Sequence, residues 1–234
     1  MAAAGDGFCV LDPLAGAPLR WLWRETAGAD LPAPGWPNGL SVRMNDGKCD
    51  PGGRFWAGTM TIDRTPGASH LYRLDPDGTV HVALAGVTLS NGLGWSPDGS
   101  TMYYIDTGER TVDAMSFDVD TGEARHRRTL VAVEEGAGNP DGMTVDAEGC
   151  LWVVLARGAA VRRYTPEGRL DRVIPLPVHK GTSCAFGGPG LRTLFVTTAC
   201  VGLSEAELVA EPLAGAILGV DAGVAGLPPH GYDG

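Results

Sequence analysis

The chain has 234 residues, enough for one large core, with 44% hydrophobic content that is too rich for a disordered segment. Its formal net charge of -10 excludes the clustered Lys and Arg of a nucleic-acid footprint, and the one basic cluster, Arg125–Arg128, reads as a solvated strand edge. No run of about 18 uncharged apolar residues predicts a membrane span, and the first dozen residues have neither the basic start nor the apolar core of a signal peptide.

In chain order, Gly7–Asp12 and Leu19–Arg24 flank a turn at Pro13–Gly16 and predict two outer strands of a partial blade within 1–40. Four longer units follow, expected as complete blades over 41–88, 89–138, 139–180 and 181–234. Their first hairpins read RMNDGKCDPGGRFWAGTM from Arg43, LSNGLGWSPDGSTMYYID from Leu89, NPDGMTVDAEGCLWVVLA from Asn139 and GTSCAFGGPGLRTLFVTT from Gly181. The turn glycines Gly53, Gly99, Gly149 and Gly190 recur at intervals of 46, 50 and 41 residues, a period expected of radial β-arrays. A second hairpin is predicted in each unit: Ser69–Arg73 with Thr79–Ala83 around DPDG, then pairs beginning at Thr111, Ala160 and Gly215. Asp-x-x-Gly and Pro-x-Gly stretches between alternating apolar runs favour such turns. Four strands in about 45 residues make one propeller blade, so the fold class is all-β, with about four and a half blades. Ser204–Leu213 alone has helical character, with Ser204 as cap and Glu207 three residues on.

The first strand of each blade lines the axis, so equivalent positions converge there. They are Asn45 with Asp46, Asn91, Asp141, and Thr182 with Ser183. Burying uncompensated amides and carboxylates costs several kcal/mol each, roughly, and a hard divalent cation is the simplest partner for such oxygens. Single Asp-Gly and Asn-Gly pairs are usually plain turns; here their phase, ahead of the first strand, sets them apart. Arg43 reads equally well as a surface cation. The five histidines lack paired ligand spacing, and Ser183 with Cys184 lacks a nucleophile motif. Trp56, Trp95 and Trp152 recur with the blade as packing between sheets. The five scattered cysteines, without a C-x-x-C pair, are expected as reduced thiols in a cytoplasmic protein.

The segments RMNDGKCDPGGRFWAGTM, SNGLGWSPDGSTMYYIDT, PDGMTVDAEGCLWV and LPVHKGTSCAFGG, in that order, resemble the senescence marker protein / regucalcin / gluconolactonase family, and the resemblance covers nearly the whole chain. The resemblance implies a six-bladed β-propeller that hydrolyses sugar lactones with one divalent cation (Ca²⁺, Zn²⁺, Mn²⁺ or Mg²⁺). It implies Asn91 and Asp141 as metal ligands, with Asp141 also the catalytic acid/base. Arg43 and Asn45 would grip the substrate, Asp63 would be a further substrate contact, and Asp46 would orient the site. The family's glutamate ligand, in a segment G-E-G-P-x-W, has no counterpart. The start, AAAGDGFCVLD, is similar to the middle of the family's second unit. The expectation is therefore a chain lacking roughly the first blade and a half, with weak cation binding and low or no lactonase activity, an inactive truncated homologue being one alternative. A calcium-binding module without turnover and, last, a protein-interaction scaffold are the competing readings. A sugar lactone is the expected partner, with no nucleic acid and no membrane.

Overall fold

A computed structural model describes residues 42–234 in full, together with the backbone of Cys9–Val10 and Arg20–Trp21. These two short strands, β1 and β2, pair antiparallel with Cys9 opposite Trp21 and Val10 opposite Arg20. The hairpin expected there is thus present, and the remainder of 1–40 lies outside the described residues.

Three four-stranded meanders follow. The first contains β3 (Val42–Cys49), β4 (Phe55–Thr61), β5 (Ser69–Leu74) and β6 (Val80–Val87). The second contains β7 (Ser90–Trp95), β8 (Thr101–Asp106), β9 (Thr111–Asp118) and β10 (Glu123–Ala132). The third contains β11 (Asn139–Val145), β12 (Leu151–Ala156), β13 (Ala160–Tyr164) and β14 (Leu170–Pro175). Each strand pairs antiparallel with its sequence neighbour, because the intervening turns are three-to-seven-residue Gly-containing loops. Gly53, Gly99 and Gly149 sit at φ of 75°, 73° and 81°, the left-handed backbone that the expected turns need. The first strands touch in sequence, β3 with β7, β7 with β11 and β11 with β15 (Gly181–Gly187). The protein is all-β, a propeller-like arrangement of antiparallel sheets around those strands.

The sheets bury apolar side chains between neighbours. Trp56 of the first sheet meets Trp95 and Phe117 of the second edge-on, with ring centroids 6.1 and 6.0 Å apart. Trp152 of the third meets Phe186 of the fourth at 6.0 Å. Such aromatic contacts between sheets match the role expected of the recurring tryptophans. One turn device is repeated: buried Asp50 accepts from the Gly52 and Arg54 amides and from Trp56 Nε1 at 2.8 Å. Asp146 accepts from the Glu148 and Cys150 amides and from Trp152 Nε1, again at 2.8 Å. The carboxylate thereby closes the turn and fixes the indole six residues on.

The fourth sheet departs from expectation. Among the described residues it has three strands, β15, β16 (Thr193–Thr198) and β17 (Ile217–Asp221), not four. After β17 the Asp221 carboxylate accepts from the Gly223 amide at 2.9 Å and turns the chain out of the sheet. Ala222 and Val224 are buried with Trp152 and Leu194, so burying the tail takes the place of pairing a fourth strand. The tail then crosses to other sheets: the Ala147 amide donates to Ala225 O at 2.9 Å and the Asp233 amide to Gly53 O at 3.0 Å. Tyr232 Oη donates to Asp75 O at 2.9 Å. The expected short helix is α1 (Glu205–Ala210), with Ser204 and Glu207 forming the capping box.

Candidate metal and substrate site

Each first strand breaks register with its neighbour at the polar positions singled out in the sequence. The ladder of β3 with β4 shifts between Met44 and Gly47, around Asn45 and Asp46. That of β7 with β8 shifts between Ser90 and Leu93, around Asn91 and Gly92. The β11–β12 ladder shifts between Pro140 and Met143, around Asp141 and Gly142, and the β15–β16 ladder between Gly181 and Ser183, around Thr182. A bulge leaves its extra residue unpaired and re-aims that side chain. Four bulges in phase therefore gather these groups at one end of the first strands.

The glycine after each ligand position lets the strands converge. A Cβ on Gly92 would stand 2.8 Å from Asp141 O, and one on Gly142 would stand 2.1 Å from Ser183 Oγ. Any larger residue would push neighbouring sheets apart at the axis.

Hydrogen bonds tie three of the predicted residues together. Arg43 NH1 donates to Asn45 Oδ1 at 3.0 Å and to Met44 O at 2.8 Å. Asn45 Nδ2 donates to Asn91 Oδ1 at 2.8 Å and to Ser90 O at 2.7 Å. Buried Asn91 in turn donates from Nδ2 to Thr107 Oγ1 at 2.6 Å, and Thr107 donates to Pro140 O at 2.6 Å. The chain of bonds thus runs from the first blade to the residue before Asp141. It fixes Asn91 with one lone pair of Oδ1 unused. Thr107 was not singled out in the sequence; its place 16 residues after Asn91, as Thr61 follows Asn45, was the available signal.

Asp141 is partly buried, and burial pushes its carboxyl up to about 7; neighbouring Asp46 adds to the rise, while the Gly142 amide and the guanidinium charges of Arg64 and Arg43 oppose it. Burial also raises Asp46, against the attraction of Lys48 and a 2.8 Å hydrogen bond from the Gly47 amide. Lys48, lowered by burial, donates to Met143 O at 2.8 Å. Asp63 stands apart from this network: it is exposed in the turn after β4, where Oδ1 accepts from the Thr65 amide at 3.2 Å.

Asp141 and Asp46, two carboxyl groups raised by burial, and Asn91 Oδ1, with a free lone pair in the equivalent bulge of the second sheet, are hard-oxygen donors. That chemistry fits a divalent cation. A second acidic cluster, Asp146, Glu148 and Cys150, has ligand atoms within 4.8 Å of one another. Arg163 already fills it, with Nε 2.8 Å from Asp146 Oδ2 and NH2 2.5 Å from Glu148 Oε2. Arg163 NH1 also reaches Asp171 at 2.7 Å, so this cluster is a neutralised structural network. The cysteines at 49, 150, 184 and 200 are free, and burial pushes Cys49 up to about 11 and Cys184 to about 12, away from nucleophilic thiolates.

The family described as SMP-30/Gluconolactonase/LRE-like region matches residues 1–200. Regucalcin of Danio rerio is 42% identical over 198 residues, covering 83% of this chain and 67% of that protein. The crystal structure of a calcium-binding protein, regucalcin, from Agrobacterium tumefaciens superposes with a TM-score of 0.78 at 30% identity, over 82% of this chain and 65% of that one. A putative gluconolactonase superposes with a TM-score of 0.63 at 26% identity, over 79% and 60%. The chain thus spans about two thirds of the length of the relatives it matches. It belongs to the SMP-30/gluconolactonase/LRE-like family.

Proposed function

We propose that the chain carries the site of a metal-dependent sugar-lactone hydrolase, with Asp141 as its acid/base. The observation that carries this reading is geometric: Asn91 and Asp141 occupy equivalent bulges of neighbouring sheets, and the hydrogen-bond chain Arg43–Asn45–Asn91–Thr107 runs to Pro140 O, next to Asp141. Asn91 Oδ1 and the Asp141 carboxylate would hold a divalent cation, with Asp46 beside them. When bound, the cation would supply Lewis-acid polarisation of the lactone carbonyl. A lactone is an activated ester, so no covalent nucleophile is required, in keeping with the raised thiols.

Asp141 takes the proton of the attacking water and returns it to the ring oxygen as the ring opens. Arg43 grips sugar hydroxyls through the N–H groups that Asn45 and Met44 leave unused. Asn45 grips the substrate chiefly through its hold on Arg43 and Asn91, because both hydrogens of its amide are already donated. Asp63, on the turn beyond Thr61, contacts the outer part of the substrate.

A proton-release assay on gluconolactone, with Ca²⁺, Mn²⁺, Zn²⁺ or Mg²⁺ added in turn, tests this. Hydrolysis that depends on the cation supports it; a rate equal to that of buffer with every cation overturns it. The oxygen-only donor set supports a second reading, cation binding without turnover. Stoichiometric cation binding with no hydrolysis selects that reading.

A further inference from the structure

The first two blades repeat each other at an interval of 46 residues: Asn45 and Asn91, Thr61 and Thr107, Asp63 and Glu109, Arg64 and Arg110. The two arginines share one backbone. Both lie at φ 58°, with the Arg64 amide donating to Thr61 O at 3.1 Å and the Arg110 amide to Thr107 O at 3.2 Å. Left-handed backbone at a non-glycine residue costs about 1 kcal/mol or more, and it gathers at functional positions.

Their side chains part company. Arg110 is locked, with NH1 on Asn139 Oδ1 at 2.7 Å and NH2 on Glu134 O and Gly138 O at 2.7 and 2.8 Å. Asn139 lies two residues before Asp141, and the matching residue before Asn91 is Leu89, which offers no side-chain acceptor. Arg64 is exposed, and among the described residues no hydrogen bond or ion pair holds its guanidinium. Neighbouring Asp63 is turned to the Thr65 amide.

Topology places Arg64 at the mouth of the site. It follows β4 directly, where Met60 pairs with Arg43 and bridges to Leu89. Its charge, like that of Arg43, is felt by Asp141. In a chain with 28 acidic residues against 18 Lys and Arg, an exposed guanidinium beside the site, unpaired among the described residues, calls for an anionic ligand. Its planar fork suits a carboxylate or phosphate.

We propose that Arg64 is a specificity residue that selects lactones carrying an anionic group, a carboxylate or a phosphate ester, on the part of the sugar that projects to the rim. The lactone itself rests on the hydrolase reading above; recognition of the anion is measured by binding alone. Calorimetric titration of the full chain, with Mg²⁺ held constant, would compare gluconate with glucarate and phosphogluconate. The wild type is expected to bind at least one of the two more highly charged acids about tenfold more tightly than gluconate, the size of one charge-assisted hydrogen bond. Arg64→Gln should remove that preference without changing gluconate affinity or the melting temperature, and Arg64→Lys should keep part of it. Preference for glucarate alone identifies a carboxylate, for phosphogluconate alone a phosphate, and for both a response to charge. Equal affinity for all three acids, a preference that survives Arg64→Gln, or no binding of any acid overturns the proposal. Anion preference without hydrolysis would defeat the hydrolase reading and leave this one standing; hydrolysis without the preference would do the reverse.

Discussion

Asn45 of the first blade donates its amide to Asn91 Oδ1 of the second at 2.8 Å, across 46 residues of sequence. This bond joins two equivalent bulges, so the repeat that builds the fold also builds the site. Removing the Asn91 side chain should leave Asn45 paired with Ser90 O and Thr107 paired with Pro140 O. Asn91→Ala is therefore expected to cost only about 1 kcal/mol of stability. Divalent-cation binding, followed by calorimetry, should be lost. A variant that binds cations as the wild type does would remove Asn91 from the site.

Asp141 makes the apo protein's stability depend on pH. Its folded pKa, about 7, lies above the ordinary 3.8, so the folded state retains the proton longer than the unfolded chain does. The group costs nothing below about pH 4, and stability falls as pH rises from about 4 to about 7. Asp141→Asn should escape that loss and be the more stable protein above pH 7, by on the order of 2–4 kcal/mol with a chelator present. Urea unfolding at pH 4 and pH 8 measures it. An equal difference between wild type and variant at both pH values would contradict the assignment.

Arg163 neutralises Asp146, which is fully buried. Arg163→Ala would leave that carboxylate facing only amides and the Trp152 indole. The expected cost is about 3–5 kcal/mol, typical of an unpaired buried charge. Thermal melting should register it, and divalent cations should not restore the loss. Restoration by a cation would turn this cluster into a metal site.

The C-terminal tail is expected to behave as a strap between sheets. Tyr232→Phe removes one hydrogen bond to Asp75 O, for about 1 kcal/mol. Truncation after Asp221 should cost several times more, because it uncovers the packing around Ala222 and Val224. Truncation with no effect on the urea midpoint would show the tail to be dispensable.

Much of this was legible in the sequence because repetition carries phase. The positions of Asn45, Asn91 and Asp141 relative to their turn glycines marked them as equivalent, although they lie within β3, β7 and β11 and not ahead of the first strands as expected, and Ser204 with Glu207 gave α1. Local signals missed what depends on distant partners. The strand-like run Gly215–Val220 and its turn did not reveal that the following residues leave the sheet to reach Ala147, Gly53 and Asp75. Thr107 and Lys48 donate to backbone oxygens of the third blade, Pro140 O and Met143 O, which no local signal announces. The contrast between Arg64 and Arg110 turns on Leu89 against Asn139, which the 46-residue register holds but no motif announces.

The most direct test of the site is the initial rate of proton release from gluconolactone at millimolar divalent cation, with wild type and Asp141→Asn measured side by side. Loss of a positioned acid/base typically costs about 10²–10⁴-fold. The wild type is expected to show slow, cation-dependent hydrolysis that falls at least about 100-fold in Asp141→Asn while the melting curve stays cooperative. Equal rates for the two proteins, or no rate above buffer for the wild type, would contradict it.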